Sequence, residues 1–275
     1  MGNNGKMRKW PTGGKRALAA AVIIGVAGGL VADFGTAIYA EYHLARQVRQ
    51  TAELPFDPWV AILGFPFIPQ AMGRHFKEIE IKANGVDQRV LGKVALESTL
   101  HGIDTVPASW LIQAETTLHI RKLESRIIID SRHLGAYMGI KDLSVEAPAE
   151  DTNDATGGTT ESGISGNRGL VLTGTPHRAG FGKPVSVTVD LSIVDPQRTT
   201  LVLTPRAVVT GPGTAHTAVP ADKQAAVLAA FATSIPDQRL PFALSPTSFG
   251  ARGSDVIIEG ITDDITVNLE EFRQP

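Results

Sequence analysis

The sequence predicts an α+β protein: one long N-terminal helix, antiparallel sheet with a single apolar face, and a few short helices. Two patterns carry the prediction. Apolar residues run unbroken from Ala17 to Ala32 and continue past Asp33 at helical spacing. After Pro58, short alternations of apolar and polar residues recur along most of the chain, the period of strands with one buried face.

Composition narrows the class. The 275 residues make one large domain or two small ones, and an apolar share of 43% is enough for a sizeable core. Aromatic residues are only 6%, so any cavity would be lined mainly by Val, Ile, Leu and Ala. Residues 1–50 hold seven Lys or Arg against Asp33 and Glu41, leaving nineteen basic and twenty-six acidic residues for the rest. A domain that acidic lacks the basic stripe that phosphate backbones need, which excludes nucleic acid as a partner. There is no Cys, hence no disulfide and no thiol chemistry.

The N-terminus sets the compartment. Lys6, Arg8, Lys9, Lys15 and Arg16 precede sixteen residues, 17–32, without a polar side chain. About 20 apolar residues cross a bilayer, and flanking positive charge stays in the cytoplasm. The expected organisation is a basic cytoplasmic tail at 1–16, a transmembrane anchor or signal segment at 17–40, and an extracytoplasmic (periplasmic) domain at 41–275. A signal peptide cut after Ala37, with Gly35 at −3, is the rival. The length of the apolar run favours the uncleaved, single-pass anchor. Gly25 and Gly29 form a GxxxG pair, which an Ala- and Gly-rich segment produces by composition.

Past Asp33, the residues Phe34, Ile38, Tyr42, Ala45 and Val48 form one helical stripe. A helix over 17–50 would be about 50 Å long, so its end should emerge as a stalk packed on the domain by that stripe, stopped by Pro55 and Pro58. Strands are expected over 77–83, 93–100 and 118–130, and a short helix over 131–140 with Ser131 as N-cap. The acidic, Gly- and Thr-rich stretch 148–168 reads as a flexible loop joining two halves. The second half holds the clearest one-faced strand, 185–193, then a strand over 201–209 and an amphipathic helix over 221–235 with Val227, Leu228 and Phe231 inward. It ends in LPFAL (240–244) and a strand pair with a bulge at Glu259-Gly260.

No catalytic constellation emerges. The seven His have no metal-ligand spacing. Asp263 and Asp264 are adjacent, so in a strand they face opposite ways, and a turn is the expected setting. Ser162-Gly163-Ile164-Ser165-Gly166 lies in the flexible loop and is not a nucleophile elbow. No phosphate-binding or dinucleotide loop is present. A non-enzyme without cofactor or metal is expected. What remains is a large apolar β surface with two or three helices to cover it: either the sheet rolls on itself, or acyl chains fill the gap at ~0.8 kcal/mol per buried CH₂.

The succession ILGFPFIPQAMGRHFKEIEIKANGV, VALESTLHGID, PVSVTVDLSIV, TLVLTPRAV, ADKQAAVLAAFATSIP, LPFAL and RGSDVIIEG resembles the actinobacterial LmeA-like family of cell-envelope phospholipid-binding proteins, over roughly Phe34 to Val267. The insert at 149–167 departs from it. The resemblance implies a curved antiparallel sheet wrapped along a long helix, as in tubular lipid-binding (TULIP) proteins. It implies binding of phospholipid, phosphatidylinositol in particular, and support of lipomannan and lipoarabinomannan assembly, with no catalytic residue. The partners are then phospholipid, the plasma membrane, and envelope glycosyltransferases or lipid transporters. The candidate lipid-contacting residues are Phe65, Phe67, Ile68 and Met72 in the GFPFIPQAM turn, Ile79, Ile81, Val94, Leu96, Val187 and Val189 on strands, and Leu228, Phe231 and Phe242 beyond them. Arg74, His75 and Lys77 are headgroup candidates. Two readings stay open: the turn plugs the end of a dry core in a scaffold for envelope enzymes, or it is a mobile lip through which acyl chains enter.

Overall fold

The computed structural model describes residues 12–106, 109–147, 169–194 and 198–273. The elements in chain order are α1 (Thr12–Thr51), β1 (Trp59–Leu63), α2 (Phe67–Gly73), β2 (His75–Gln88), β3 (Gly92–Val106), β4 (Thr117–Asp130), α3 (Ser131–Met138) and β5 (Ser144–Glu146). They continue with β6 (Gly169–Gly174), β7 (Val185–Val194), β8 (Thr200–Val209), α4 (Ala221–Phe231), β9 (Thr233–Ile235), β10 (Ser248–Arg252) and β11 (Asp255–Asn268). The α+β class holds: a long N-terminal helix, two antiparallel sheets and a few short helices.

The two sheets have the orders β1-β2-β3-β4-β11-β10 and β5-β6-β7-β8-β9. The second sheet is thus inserted between β4 and β10, and the last hairpin returns to the first. The loop expected at 148–168 lies outside the described residues, between β5 and β6 of one sheet. Both sheets turn their apolar side chains into one continuous interior. The four long strands β2, β3, β4 and β11 supply its floor; α1 and α2 close one end, and α4 covers β7 and β8.

Helix α1 has two regimes. From Ala17 to Ala32 every side chain is exposed. From Asp33 onward one face turns inward: Asp33, Ala40, Leu44 and Val48 are buried and Ala37 is half-buried. The expected stripe is corrected here. Ala45 and Val48 do pack, but Phe34, Ile38 and Tyr42 are exposed. Hydropathy favours the large residues, whereas close approach of α1 to β1 and α2 favours the small Ala37 and Ala40.

Small residues also let the LPFAL segment in. Across the first sheet, Val60, Ile81, Ser98, Ser125 and Gly260 lie in one row. Two large side chains are followed by three small ones, and the 240–245 segment crosses over the small end. A Cβ at Gly260 would lie 2.6 Å from Leu240 Cδ1 and 2.7 Å from the Ser245 carbonyl oxygen. Gly260→Ala should therefore destabilise the fold by about 1–3 kcal/mol through overpacking, read as a lower urea midpoint at unchanged slope.

The bulge expected at Glu259-Gly260 is absent: pairing with β4 runs in one register from Asp255 to Asp263. The apolar phase slips there because both faces are covered, and every residue from Val256 to Gly260 is buried. Register shifts fall instead at Asn84/Val86 and Thr188/Val189. Asp263 and Asp264 are inside β11, not in a turn. Helix α3 is capped by the Asp130 carboxylate, which accepts from Arg132 N at 2.6 Å, rather than by Ser131. Helix α4 stops at Phe231, and 233–235 pairs as β9 because its backbone completes the edge of β8.

The outer face of the first sheet carries an ion ladder. Arg126 donates from Nε to Glu259 at 2.6 Å and from Nη2 to Glu124 at 2.6 Å. Burial raises the Glu124 carboxyl, but its hydrogen bond from Lys122 and the Arg126 and Lys122 charges outweigh that and hold it below its usual 4.5. Asp142 lies below its usual 3.8 because Thr175 donates to it from both N and Oγ1. Each is lowered by folding, so each adds stability above its unfolded value that disappears as pH falls through the folded one. Thermal melts from pH 6 to pH 3 should show stability falling below about pH 4.5, with a shallower fall in Asp142→Asn. Asp255, raised by burial and by Asp130, contributes the opposite slope.

Candidate functional site

The GFPFIPQAM turn lies where α1 first touches the domain. β1 ends at Leu63, Gly64 takes φ +107°, and α2 begins at Phe67. Pro66 in the N-cap position has no side chain to offer the first α2 amides. Asp33 of α1 does this instead: its Oδ2 accepts from Phe67 N at 2.8 Å and its Oδ1 from Ile68 N at 2.8 Å. Gln70 staples the same turn, donating from Nε2 to the Gly64 and Pro66 carbonyls and accepting from Lys77 N at 2.9 Å. Glu41, two turns along α1 from Asp33, accepts from Ile62 N at 2.8 Å. The turn is therefore tied to α1 and β2 by polar contacts as well as by grease.

Its side chains divide. Phe67 is buried and packs on Phe76 with ring centroids 6.2 Å apart, and Ile68 is half-buried against the core. Phe65 is exposed and stacks on Phe34 at 5.7 Å. Met72 is 78% exposed. Arg74 is the left-handed C-cap of α2; it and Lys77 are exposed, and neither forms an ion pair with the other described residues. His75 is exposed too, with Nδ1 2.8 Å from Asp104.

The strand candidates meet in the interior. Ile79 faces Ile62 and Leu100, Leu96 faces Ala83 and Ile127, and Val187 faces Leu172 and Val208. Ile79, Ile81, Leu96, Val187 and Val189 are each at most 1% exposed, and Val94 is 3%. Phe231 is buried, Leu228 half-buried, and Phe242 packs edge-on against Phe272 at 5.7 Å. Among the described residues the interior strand positions Ile81, Leu96, Val187 and Val189 have no accessible surface, so they are packed against protein. Among the described residues no group of three His, Asp or Glu is placed to hold a metal ion.

The described geometry is a long apolar N-terminal helix, a stapled apolar turn where it meets the domain, and a two-sheet apolar interior behind it. A family model described as LmeA-like phospholipid-binding matches residues 31–261. The chain belongs to the LmeA-like phospholipid-binding family. Comparison with curated proteins and with solved structures returned no significant match. The LmeA-like match starts two residues before Asp33, where α1 begins to pack, and ends one residue after Gly260, where LPFAL crosses the sheet. It leaves out the basic tail.

Sequence reading missed three residues of this LmeA-like site. Asp33 was visible only as an interruption of an apolar run; a carboxylate in that setting signals a partner, but not which one. Gln70, a lone amide in the short helix α2, and Trp110, a lone loop aromatic that stacks on Tyr39 at 6.1 Å, gave no signal at all.

Proposed function

We propose that this LmeA-like protein is a non-catalytic, membrane-anchored envelope protein that binds phospholipid in its apolar interior and supports lipid transfer or lipoglycan assembly. Family membership carries the reading of phospholipid binding. The lipomannan and lipoarabinomannan role, the TULIP relationship and the partnership with envelope glycosyltransferases or lipid transporters rest on the resemblance of the sequence. The periplasmic side rests on the basic residues before Ala17.

α1 is long and apolar enough to cross a membrane, and two features favour an uncleaved anchor. Removal of residues 1–37 would take away Asp33, leaving the Phe67 and Ile68 amides without their acceptor. It would also take away Phe34, the stacking partner of Phe65.

Acyl chains enter by separating surfaces that are now in contact. Lipid tails are as apolar as Leu side chains, so exchanging protein contacts for tail contacts changes the dispersion energy little. The barrier lies in the polar staples of the turn, Asp33, Gln70 and Glu41. Phe65, Phe67, Ile68 and Met72 would line the entrance, the strand residues with Leu228, Phe231 and Phe242 the interior, and Arg74, His75 and Lys77 would meet the headgroup. The close packing of the interior favours a second reading, a scaffold with a dry core. Native mass spectrometry of the full chain in detergent separates them. Phospholipid of fixed stoichiometry that survives detergent exchange supports lipid binding; a lipid-free protein that captures envelope enzymes supports the scaffold.

A further inference from the structure

We propose that the end of the domain around the α1 exit is a bilayer-docking face, with Phe34, Phe65 and Met72 dipping into the leaflet that α1 enters and Tyr39 and Trp110 lying at its interface. The orientation rests on the anchor reading above; the face itself rests on separate observations.

The side chains are large, apolar and outward. Phe34 is 57% exposed, Phe65 56%, Met72 78%, Tyr39 53% and Trp110 46%. Single exposed apolar residues need no explanation, but these are assembled. Phe34 stacks on Phe65 at 5.7 Å, and Tyr39 on Trp110 at 6.1 Å. Each pair joins α1 to a different loop of the domain, so together they form a collar around the helix rather than a stripe on it.

Depth follows from the helix rise. About 30 Å of hydrocarbon takes about 20 residues, which from Ala17 ends near Thr36. Phe34 lies just inside that boundary. Tyr39 lies about 7.5 Å further along the axis, at the level where amphipathic aromatic rings are favoured. Asp33 makes the argument independent of the aromatics. A carboxylate at that depth is tolerated only when paired within the protein, and its partners are the first amides of α2, both at 2.8 Å. Those two contacts bring the start of α2 to the depth of Asp33, and with it the adjoining Phe65. Basic groups adjoin the collar: Arg46 donates to Tyr42 Oη at 3.1 Å, and Arg74 and Lys77 are exposed, with no ion pair to the other described residues. An apolar tip, exposed Tyr and Trp, and adjacent basic groups suit an anionic leaflet.

The test places single tryptophans in the full chain, reconstituted in vesicles of phosphatidylcholine and phosphatidylglycerol with bromine at shallow or deep acyl positions. One variant, W10F/W59F, keeps only Trp110; two more carry Met72→Trp or Ile24→Trp in a background with all native Trp changed to Phe. Blue-shifted emission quenched by shallow bromine at positions 110 and 72 is expected, with position 24 quenched by deep bromine. Quenching at 24 but not at 110 and 72 overturns the docking face and leaves the anchor standing. Quenching at 110 and 72 but not at 24 supports the face and removes the anchor. Emission at 110 and 72 that is blue-shifted yet unquenched means that protein, from a partner or a second copy, covers the collar, and overturns the proposal.

Discussion

Glu259→Ala should cost about 2–4 kcal/mol of folding stability, because it removes one of the two carboxylates that pair a buried guanidinium and the acceptor of a buried hydroxyl. Glu259 has no solvent exposure. Its Oε2 accepts from Arg126 Nε at 2.6 Å and its Oε1 from Ser248 Oγ at 3.0 Å. The Ala variant leaves Arg126 with Glu124 alone and Ser248 without its acceptor, in the centre of the sheet where β4 pairs β11. At roughly 2–4 °C per kcal/mol for a domain of this size, the melting temperature should fall by about 4–16 °C. The double variant Arg126→Met/Glu259→Met distinguishes the loss of the pair from the stranding of one member. Apolar replacement of a whole buried pair is often close to neutral, and Glu124 keeps Lys122 at 3.0 Å. The double variant should therefore be clearly more stable than Glu259→Ala; equal instability would mean that the outer face depends on the pair itself.

Asp33→Ala should release the lip. Two amides lose a charged acceptor, each bond of that kind contributing about 1.5–3 kcal/mol. The loss should be local, since Asp33 bonds only the first two amides of α2 and the packing of Phe67 on Phe76 is untouched. Hydrogen exchange at Phe67 and Ile68 should accelerate by about a hundredfold or more, at tenfold per 1.4 kcal/mol, while amides in β4 and β11 keep their protection. Asp33→Asn retains one acceptor oxygen and should lie between. Under the proposed function, Asp33→Ala should also load fluorescent phospholipid from vesicles faster than the native chain, because the entrance is less firmly held. Faster exchange with unchanged loading would mean that acyl chains enter elsewhere.

Much of this was legible in the residues. Long one-faced strands announce themselves by alternation: β7, with Val185, Val187, Val189, Leu191 and Ile193, needs no tertiary information. The apolar run before Asp33 marks, by hydropathy alone, a helix long and apolar enough to cross a membrane. The phase of α1 after Asp33 was not legible, since an amphipathic pattern with small residues on the packed side looks weaker than one with Phe34, Ile38 and Tyr42. Nor was the slip at Glu259-Gly260, because a doubly buried strand mimics a bulge when only one face is assumed to be covered.

The sequence by itself determined the class of the fold, the long apolar N-terminal helix, the one-faced strands and the family, because these follow from local periodicity and from short motifs. Only the tertiary structure decided that the second sheet shares one packed interior with the first, that Asp33 reaches 34 residues along the chain to cap α2, and that the exposed aromatics gather around the helix exit. Those arrangements depend on contacts between segments distant in sequence. A carboxylate or an aromatic ring carries the capacity for such a contact in its chemistry, but the identity of its partner is set by how the strands and helices pack.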